Sequence, residues 1–351
     1  MRKKWDWLLF LTVLAIGSLS LLVIYSINKS LAASQIVFWA FGLTVLVLTS
    51  FFDYKAWQKL SIVFYVIVLV TLLLLFLVGE PIRGSVRWIN LGLFRFQPSE
   101  IAKVATILVL SAFFLERSAA NLKNLLVSIL VITPAVILIL IQPDIGNVLV
   151  ILGIWFGMSF ASGFRLKHLV FLTLLFFIIS LFLFKALAPY QQERIKSFMN
   201  PETDPLGTGY QIIQSKIAVG SGELTGRGLG QGSQSQLKFL PEAESDFIFA
   251  STVEQMGFIG GSLLLIFITV LSVKILRIGQ KVERFGQLIT VGAVSFLTLQ
   301  YTINIAMNMG LLPITGITLP LYSYGGSSLA SSLFLLGIVF SIRRFNRMLL
   351  S

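Results

Sequence analysis

The chain has 351 residues, 56% of them hydrophobic, with 27 basic and 15 acidic side chains, one His and no Cys. With a mean hydropathy of +0.90 it is a polytopic membrane protein rather than the two or three soluble domains its length would allow. The absence of Cys excludes disulfides, thiol nucleophiles and thiolate metal sites. The lone His168 excludes a two-His zinc site or a nucleophile–His relay, so a general base is expected to be a carboxylate, less readily a Lys or Tyr.

Apolar runs predict ten helical spans, near residues 6–27, 34–52, 59–78, 98–115, 125–141, 147–162, 169–187, 247–274, 286–309 and 326–342. The first run follows "MRKK" and precedes "LAAS", a signal-peptide-like pattern. It is too long for a signal h-region, so a retained span is expected. An even number of spans puts both termini on one side. Arg2, Lys3 and Lys4 at one end, Arg343, Arg344 and Arg347 at the other, and the loops bearing Lys55, Lys59, Arg117, Lys123, Arg165, Lys167, Lys274, Arg277, Lys281 and Arg284 share that side. The positive-inside rule makes it cytoplasmic, and the net charge of +12 is then mostly an orientation signal that calls for no nucleic acid. His168, in "FRLKHLV", reads as a polar loop residue near a headgroup.

The predicted outer side carries the exceptions. "GEPIRGSVRWINLGLFRFQPSEIAK", between the third and fourth spans, puts Arg83, Arg87 and Arg95 outside. They serve either a β-like turn segment touching lipid phosphates or a fork-shaped site for an anionic group. Helix four then opens with Pro98 and Glu100, and Lys103 follows at i+3. Lys103 reads either as an ion-pair partner snorkelling outward or as a cation facing an intramembrane cavity. In "QPDIG" Asp144 is a helix cap in isolation, yet it lies at the depth of these cations.

The segment from about 188 to 245 is too long to be an idle loop. "GYQIIQSKIAV" predicts a short amphipathic interfacial helix, and Gly226, Gly228, Gly230 and Gly232 predict a flexible lid or turn, because the GK[ST] of a phosphate-binding P-loop is missing. "FLPEAESDFIFASTVEQMG" then gathers Glu242, Glu244 and Asp246 at the lip of the eighth span, with Glu254 two turns deeper. Carboxylates so close to lipid point to a functional site. Asp246 reads as an N-cap or a catalytic group, Glu244 as solvated, and Glu254 as paired within the bundle. Late in the chain, "NMGLLPITGITLPLYSYGGSSL" predicts a re-entrant outer segment whose irregular backbone lines a cavity.

Taken together, "RFQPSEIAK", "QPDIG", "GYQIIQSKIAVGSGELTGRGLGQGSQSQLKFLPEAESDFIFA" and "GLLPITGITLPLYSYGGSSL" strongly resemble the SEDS family of RodA/FtsW cell-wall polymerases, in order and over nearly the whole chain. "IIQSKIAVGSGELTGRG" and "QSQLKFLPE" look more like the elongation member, RodA, than the division member, FtsW. One departure is "EAESDFIFA", which lacks the His–Thr pair that often precedes the family's Asp. No role is therefore expected of the position before Asp246.

The resemblance implies an all-α polytopic membrane protein, a single SEDS-type transmembrane domain over 1–351 in the bacterial cytoplasmic (inner) membrane. It implies a peptidoglycan glycosyltransferase that polymerises lipid II for elongation and cell shape, with Asp246 matching the aspartate regarded as catalytic. A sugar hydroxyl acceptor needs one base. A pyrophosphate leaving group needs positive charge rather than the acid of a glycosidase. Lys103 with Arg87 or Arg95 are the candidates for the phosphates; Glu100, Asp144, Lys216 and Ser323 join the substrate-binding set. Glu242 is a further candidate, for substrate or for a divalent cation, the one cofactor left open. Expected partners are lipid II, a class B penicillin-binding protein and other elongation-complex membrane proteins. The alternatives are a flippase for lipid-linked precursor, which would put its ionisable groups near the midplane, a division-type polymerase, or a scaffold.

Overall fold

The computed structural model describes residues 5–82, 85–90, 92, 95–168, 170, 192, 197–199 and 208–345. The expected seventh span at 169–187 and Arg83 lie outside the described residues.

Eight described helices are long and apolar enough to cross a membrane: α1 Trp7–Ile27, α2 Lys29–Phe51, α3 Ala56–Val78, α4 Pro98–Glu116, α5 Leu122–Ile141, α9 Ile248–Gly279, α10 Arg284–Asn308 and α11 Gly326–Phe345. α6, Ile145–Ala161, is a shorter apolar helix. These nine match nine of the ten predicted spans, with one shift. α2 begins at Lys29 because Asn28 ends α1 and starts α2, accepting from the N–H groups of Ser30 and Leu31. The small residues of "LAAS" thus lie inside a helix rather than in a linker.

α4 is the centre of the bundle. It packs against α3, α6, α10 and α11, while α1 lies on α9 and α2 on α11. Ala102, Ala105, Ile107 and Leu108 of α4 are wholly buried, whereas α2 and α3 leave broad apolar faces exposed, as helices facing lipid do. At the predicted cytoplasmic end Asp6 caps α1 through the N–H of Leu9, and its Oδ2 meets Arg343 at 2.6 Å and Lys274 at 3.7 Å. One buried carboxylate so ties together the ends of α1, α9 and α11.

The opposite end is irregular. β1 Glu80–Ile82, β2 Ser85–Asn90 and β3 Arg95–Phe96 form an antiparallel sheet in that order, the β-like segment expected there. α7, Thr208–Ser221, is the predicted amphipathic helix, but its apolar face packs on protein rather than lipid. Ile212 and Ala218 sit in a cluster with Leu240, Phe247, Ala250, Met307 and Ile314.

The Gly-rich stretch differs from the flexible lid expected of it. α9 breaks at Gly257 (φ 66°, ψ −165°), and the chain from 222 to 236, including the four-residue helix α8 Ser233–Gln236, seats in the break. Arg227 and Gly228 donate to the carbonyls of Glu254 and Gln255, and Phe258 and Ile259 donate back to Glu223 and Leu224. Backbone against backbone leaves room only for hydrogen at Gly226 and Gly257.

Gly257→Ala should therefore lower thermal stability in detergent, because its φ and ψ lie in a region costing other residues about 1–3 kcal/mol and a methyl group meets the Gly226 backbone. Gly220→Ala, within α7 and facing open space, should be neutral or stabilising. Equal melting temperatures for the two variants would refute the seated-loop reading.

Candidate active site

The site is built around one row of amides. Gln300, Asn304 and Asn308 follow one another at i+4 on α10, all fully buried. Asn304 Nδ2 donates to the Asp246 carbonyl at 2.9 Å and to that of Ile317 at 2.7 Å, and Asn308 Nδ2 donates to the same Asp246 carbonyl at 2.9 Å. Asn308 Oδ1 accepts from the N–H of Ala250 at 2.9 Å. Two side chains thus hold one backbone oxygen, and the turn carrying Asp246 is fixed to α10. The helix cap falls at Phe247, so Asp246 is not the N-cap of α9. Its side chain is half-buried.

The rest of the turn is held from the other side. Ser323 Oγ donates to the Ser245 carbonyl at 2.6 Å and accepts from the N–H of Leu319 at 2.8 Å, and the N–H of Tyr324 donates to the Glu244 carbonyl at 2.9 Å. Gln35 reaches across from α2 to donate to the Ser323 carbonyl at 3.2 Å. The segment from 309 to 325 is non-helical and carries the buried Ile317, Leu319, Leu321 and Tyr322, which is the re-entrant arrangement expected. Ser323 acts on Asp246 through the backbone of its neighbour.

Glu242 accepts from Ser245 Oγ at 2.9 Å. Glu244 is half-buried rather than solvated. Burial pushes its carboxyl up, the nearby Glu242 adds to the rise, and its own backbone hydrogen bond and Lys238 offset part of it. Glu254 makes no ion pair among the described residues. It is wholly buried and takes the N–H groups of Gln234 at 2.7 Å and Ser235 at 3.0 Å, capping α8. Among the described residues no three His, Asp or Glu side chains converge as a metal would require.

Gln300, at the inner end of the amide row, accepts from Lys103 Nζ at 3.0 Å; the ammonium also donates to Glu100 at 2.7 Å and lies 5.0 Å from the centroid of Phe296. Ser331 of α11 donates to the other Glu100 oxygen at 3.4 Å. Lys103 is 0% exposed, so it makes the expected ion pair without the expected snorkelling. One turn nearer the helix start, Asp144 caps α6 at Asn147 and accepts from Gln97 at 3.2 Å, Ser99 at 3.3 Å and Asn147 Nδ2 at 2.8 Å. Arg87 stands 4.0 Å from Asp144 and donates to the carbonyls of Gln142 and Pro143, tying the sheet to the α5–α6 turn.

The structure therefore brings Glu100, Lys103, Arg87 and Asp144 together around the start of α4, and Asp246, Glu242 and Ser323 together before α9. Arg95 and Lys216 are exposed and join neither cluster: the Arg95 carbonyl accepts from Ser327, and the Lys216 side chain lies over Gly310. Sequence reasoning missed Gln300, Asn304 and Asn308. Their signal was in "QYTINIAMN", three amides at fourfold spacing on an apolar helix.

A bundle of apolar helices with a polar, irregular end and a single anchored Asp defines a membrane-embedded protein with its site at one membrane face. Residues 3–348 match the FtsW/RodA/SpoVE model of cell cycle proteins, and the chain belongs to that family. Stage V sporulation protein E of Bacillus subtilis (strain 168) is 37% identical over 362 residues, 97% of this chain and 98% of the relative. Peptidoglycan glycosyltransferase MrdB of Escherichia coli (strain K12) is 36% identical over 348 residues, 97% of this chain and 94% of the relative. A chain from a peptidoglycan synthase complex, studied for its coordination of polymerization and crosslinking, superposes with a TM-score of 0.84 at 32% identity, covering 97% of this chain and 98% of that one. The rod shape determining protein RodA of Thermus thermophilus superposes with a TM-score of 0.74 at 28% identity, with 98% of each chain covered.

Removing one member of the Glu100–Lys103 pair should be worse than removing both. Lys103→Met leaves a buried carboxylate without its cation, a loss of about 3–5 kcal/mol. Lys103→Met combined with Glu100→Gln should recover most of it, as read by thermal unfolding in detergent. A double variant less stable than Lys103→Met would show that the pair is not what holds this region.

Proposed function

We propose that this chain polymerises lipid II by direct displacement, with Asp246 as the general base. Its family and its glycosyltransferase relatives make it a multi-pass inner-membrane peptidoglycan glycosyltransferase. The acceptor sugar hydroxyl attacks the anomeric carbon of the donor, Asp246 takes the hydroxyl proton, and the bond to the lipid pyrophosphate breaks with its electron pair leaving on the phosphate. A single displacement inverts the anomeric centre. The observation that carries this reading is the double anchoring of the Asp246 carbonyl by Asn304 and Asn308, which fixes the turn bearing the base before substrate arrives.

The leaving pyrophosphate needs cations that it can reach. Arg95 and Lys216 are exposed, whereas Lys103 is shut inside its pair, so we assign first contact with the phosphates to the exposed pair and the ordering of the α4 start to Lys103. Arg87 positions the sheet against the α5–α6 turn. The relatives include a stage V sporulation protein E, the peptidoglycan glycosyltransferase MrdB and a probable peptidoglycan glycosyltransferase FtsW. The motifs "IIQSKIAVGSGELTGRG" and "QSQLKFLPE" favour the elongation role, with a class B penicillin-binding protein as partner. The likeness to a chain of a synthase complex that couples polymerization to crosslinking supports such a partner.

Asp246→Asn keeps the size of the side chain and leaves the cap at Phe247 untouched. Polymerisation of labelled lipid II should fall about 10²–10⁴-fold, the usual cost of losing a general base, with lipid II binding and melting temperature unchanged. Glu244→Gln, which fixes the neutral form that burial already favours, should polymerise nearly normally. Wild-type polymer from Asp246→Asn would remove the catalytic assignment.

A further inference from the structure

The bundle carries a second polar site, at the end that the charge rule predicts to be cytoplasmic. A cavity of about 630 Å³ lies between the α4–α5 loop and the chain after α6, lined by Ser118, Asn121, Leu122, Arg165, Lys167 and His168 among others. Its frame is fixed by hydrogen bonds. The Ser162 carbonyl accepts from the N–H of Ala119 and from Ser118 Oγ, both at 3.0 Å; Asn124 donates to the Ser118 carbonyl at 3.1 Å, and the N–H of His168 donates to the Arg165 carbonyl at 2.9 Å. Two loops distant in sequence are thus pinned into one wall.

The lining is chemically one-sided. Arg165 and Lys167 are exposed, and neither has an ion-pair partner among the described residues. His168 is only 5% exposed, and its Nδ1 is buried without a hydrogen-bond partner, an uncompensated polar atom that a ligand oxygen would satisfy. The positive end of the α5 dipole opens at Asn121 and Leu122. Arg117 and Lys123 add charge where α4 ends and α5 begins, and Glu116 is the one acid of that stretch. The flank is apolar: Leu166 and Val170 are 78% and 63% exposed beside these cations.

We propose that this cavity binds the headgroup of an anionic glycerophospholipid of the cytoplasmic leaflet, its phosphodiester meeting Arg165, Lys167 and His168. A free phosphate would use the cations and the helix start but gives no role to the exposed Leu166 and Val170, whereas acyl chains lie along them. Basic pockets between helix ends on this side of a membrane suit such headgroups. The site is separate from the Asp246 turn, which lies at the opposite end of the helices.

The test uses the full chain in neutral detergent with phosphatidylglycerol, phosphatidylcholine or inorganic phosphate added, and native mass spectrometry to count retained lipid. Wild type should retain phosphatidylglycerol in preference to phosphatidylcholine, and excess inorganic phosphate should not displace it. Arg165→Gln with Lys167→Gln should weaken retention roughly thirty-fold, the scale for two basic side chains near an anionic lipid surface. Lys59→Gln with Arg277→Gln, an equal charge change at the ends of α3 and α9 predicted on the same side, should leave it unchanged. His168→Leu, which keeps the loop charges and supplies no donor, should weaken it by a smaller factor. Melting temperatures without lipid separate binding from folding, and Arg165→Lys with Lys167→Arg should retain lipid even if the Gln pair unfolds. Equal retention by wild type and the Gln pair, equal loss in the Lys59/Arg277 pair, or displacement by inorganic phosphate would each overturn the proposal.

Discussion

A backbone N–H or C=O left unpaired beside hydrocarbon costs several kcal/mol, and three described irregular segments of this protein are arranged around that constraint. Helices satisfy their own backbone. The stretches 222–236, 242–247 and 309–325 cannot, and they lie among the helices rather than above them. Their groups go to a small set of buried polar side chains: Glu254 for the first, Asn304, Asn308 and Ser323 for the second, and Gln300, Asn304 and Gln35 for the third. Asn304 serves two segments at once. The position of Asp246 is a consequence of that pairing, since its carbonyl is one of the groups that must be satisfied.

The same economy governs the charges. Glu100 and Lys103 lie in the first two turns of the most buried of the described spans, where either alone would be expensive. Paired, and bridged to α10 by Gln300 and to α11 by Ser331, they set the register of three helices. A buried ion pair is a weak source of stability, but it makes other registers costly. Arg87 and Asp144 do similar work at the rim, where a guanidinium holds a turn through two carbonyls and stands beside the carboxylate that caps α6. The groups that looked like a phosphate site in the sequence are thus partly committed to the fold, and the exposed Arg95 and Lys216 are left at the surface.

Hydropathy made the helices legible, because a lipid-facing helix declares itself by composition alone. The signal failed where a residue's partner is distant in sequence. Asn304 and Asn308 meet Asp246 across 58 and 62 residues, so the amide row reads as an ordinary polar stripe until the two elements are side by side. Glu254 looked like half of an ion pair because a buried carboxylate usually needs a cation, and its acceptance of two N–H groups from α8 depends on a helix break that no local pattern announces. The glycines looked like a flexible lid because Gly permits mobility and close approach equally. Here Gly226 and Gly232 serve close approach, while Gly228 and Gly230 serve turns at positive φ. Asp246 itself was legible through resemblance and only weakly through its own chemistry, since a carboxylate at a loop-to-helix junction is most often a cap.

The four carboxylates from 242 to 254 show how one short stretch divides its acids by environment. Glu254 is deepest and is used as an acceptor for backbone donors, which fixes the loop before the site. Glu242 bonds the hydroxyl of Ser245 and steadies the turn from within. Burial pushes the Glu244 carboxyl up, with Glu242 beside it contributing and its own backbone hydrogen bond and Lys238 offsetting part of the rise. The Asp246 carbonyl takes both anchoring amides, from Asn304 and Asn308. A reaction that removes one proton and expels a polyanion needs one base held in place, and the amides on the Asp246 carbonyl do that holding.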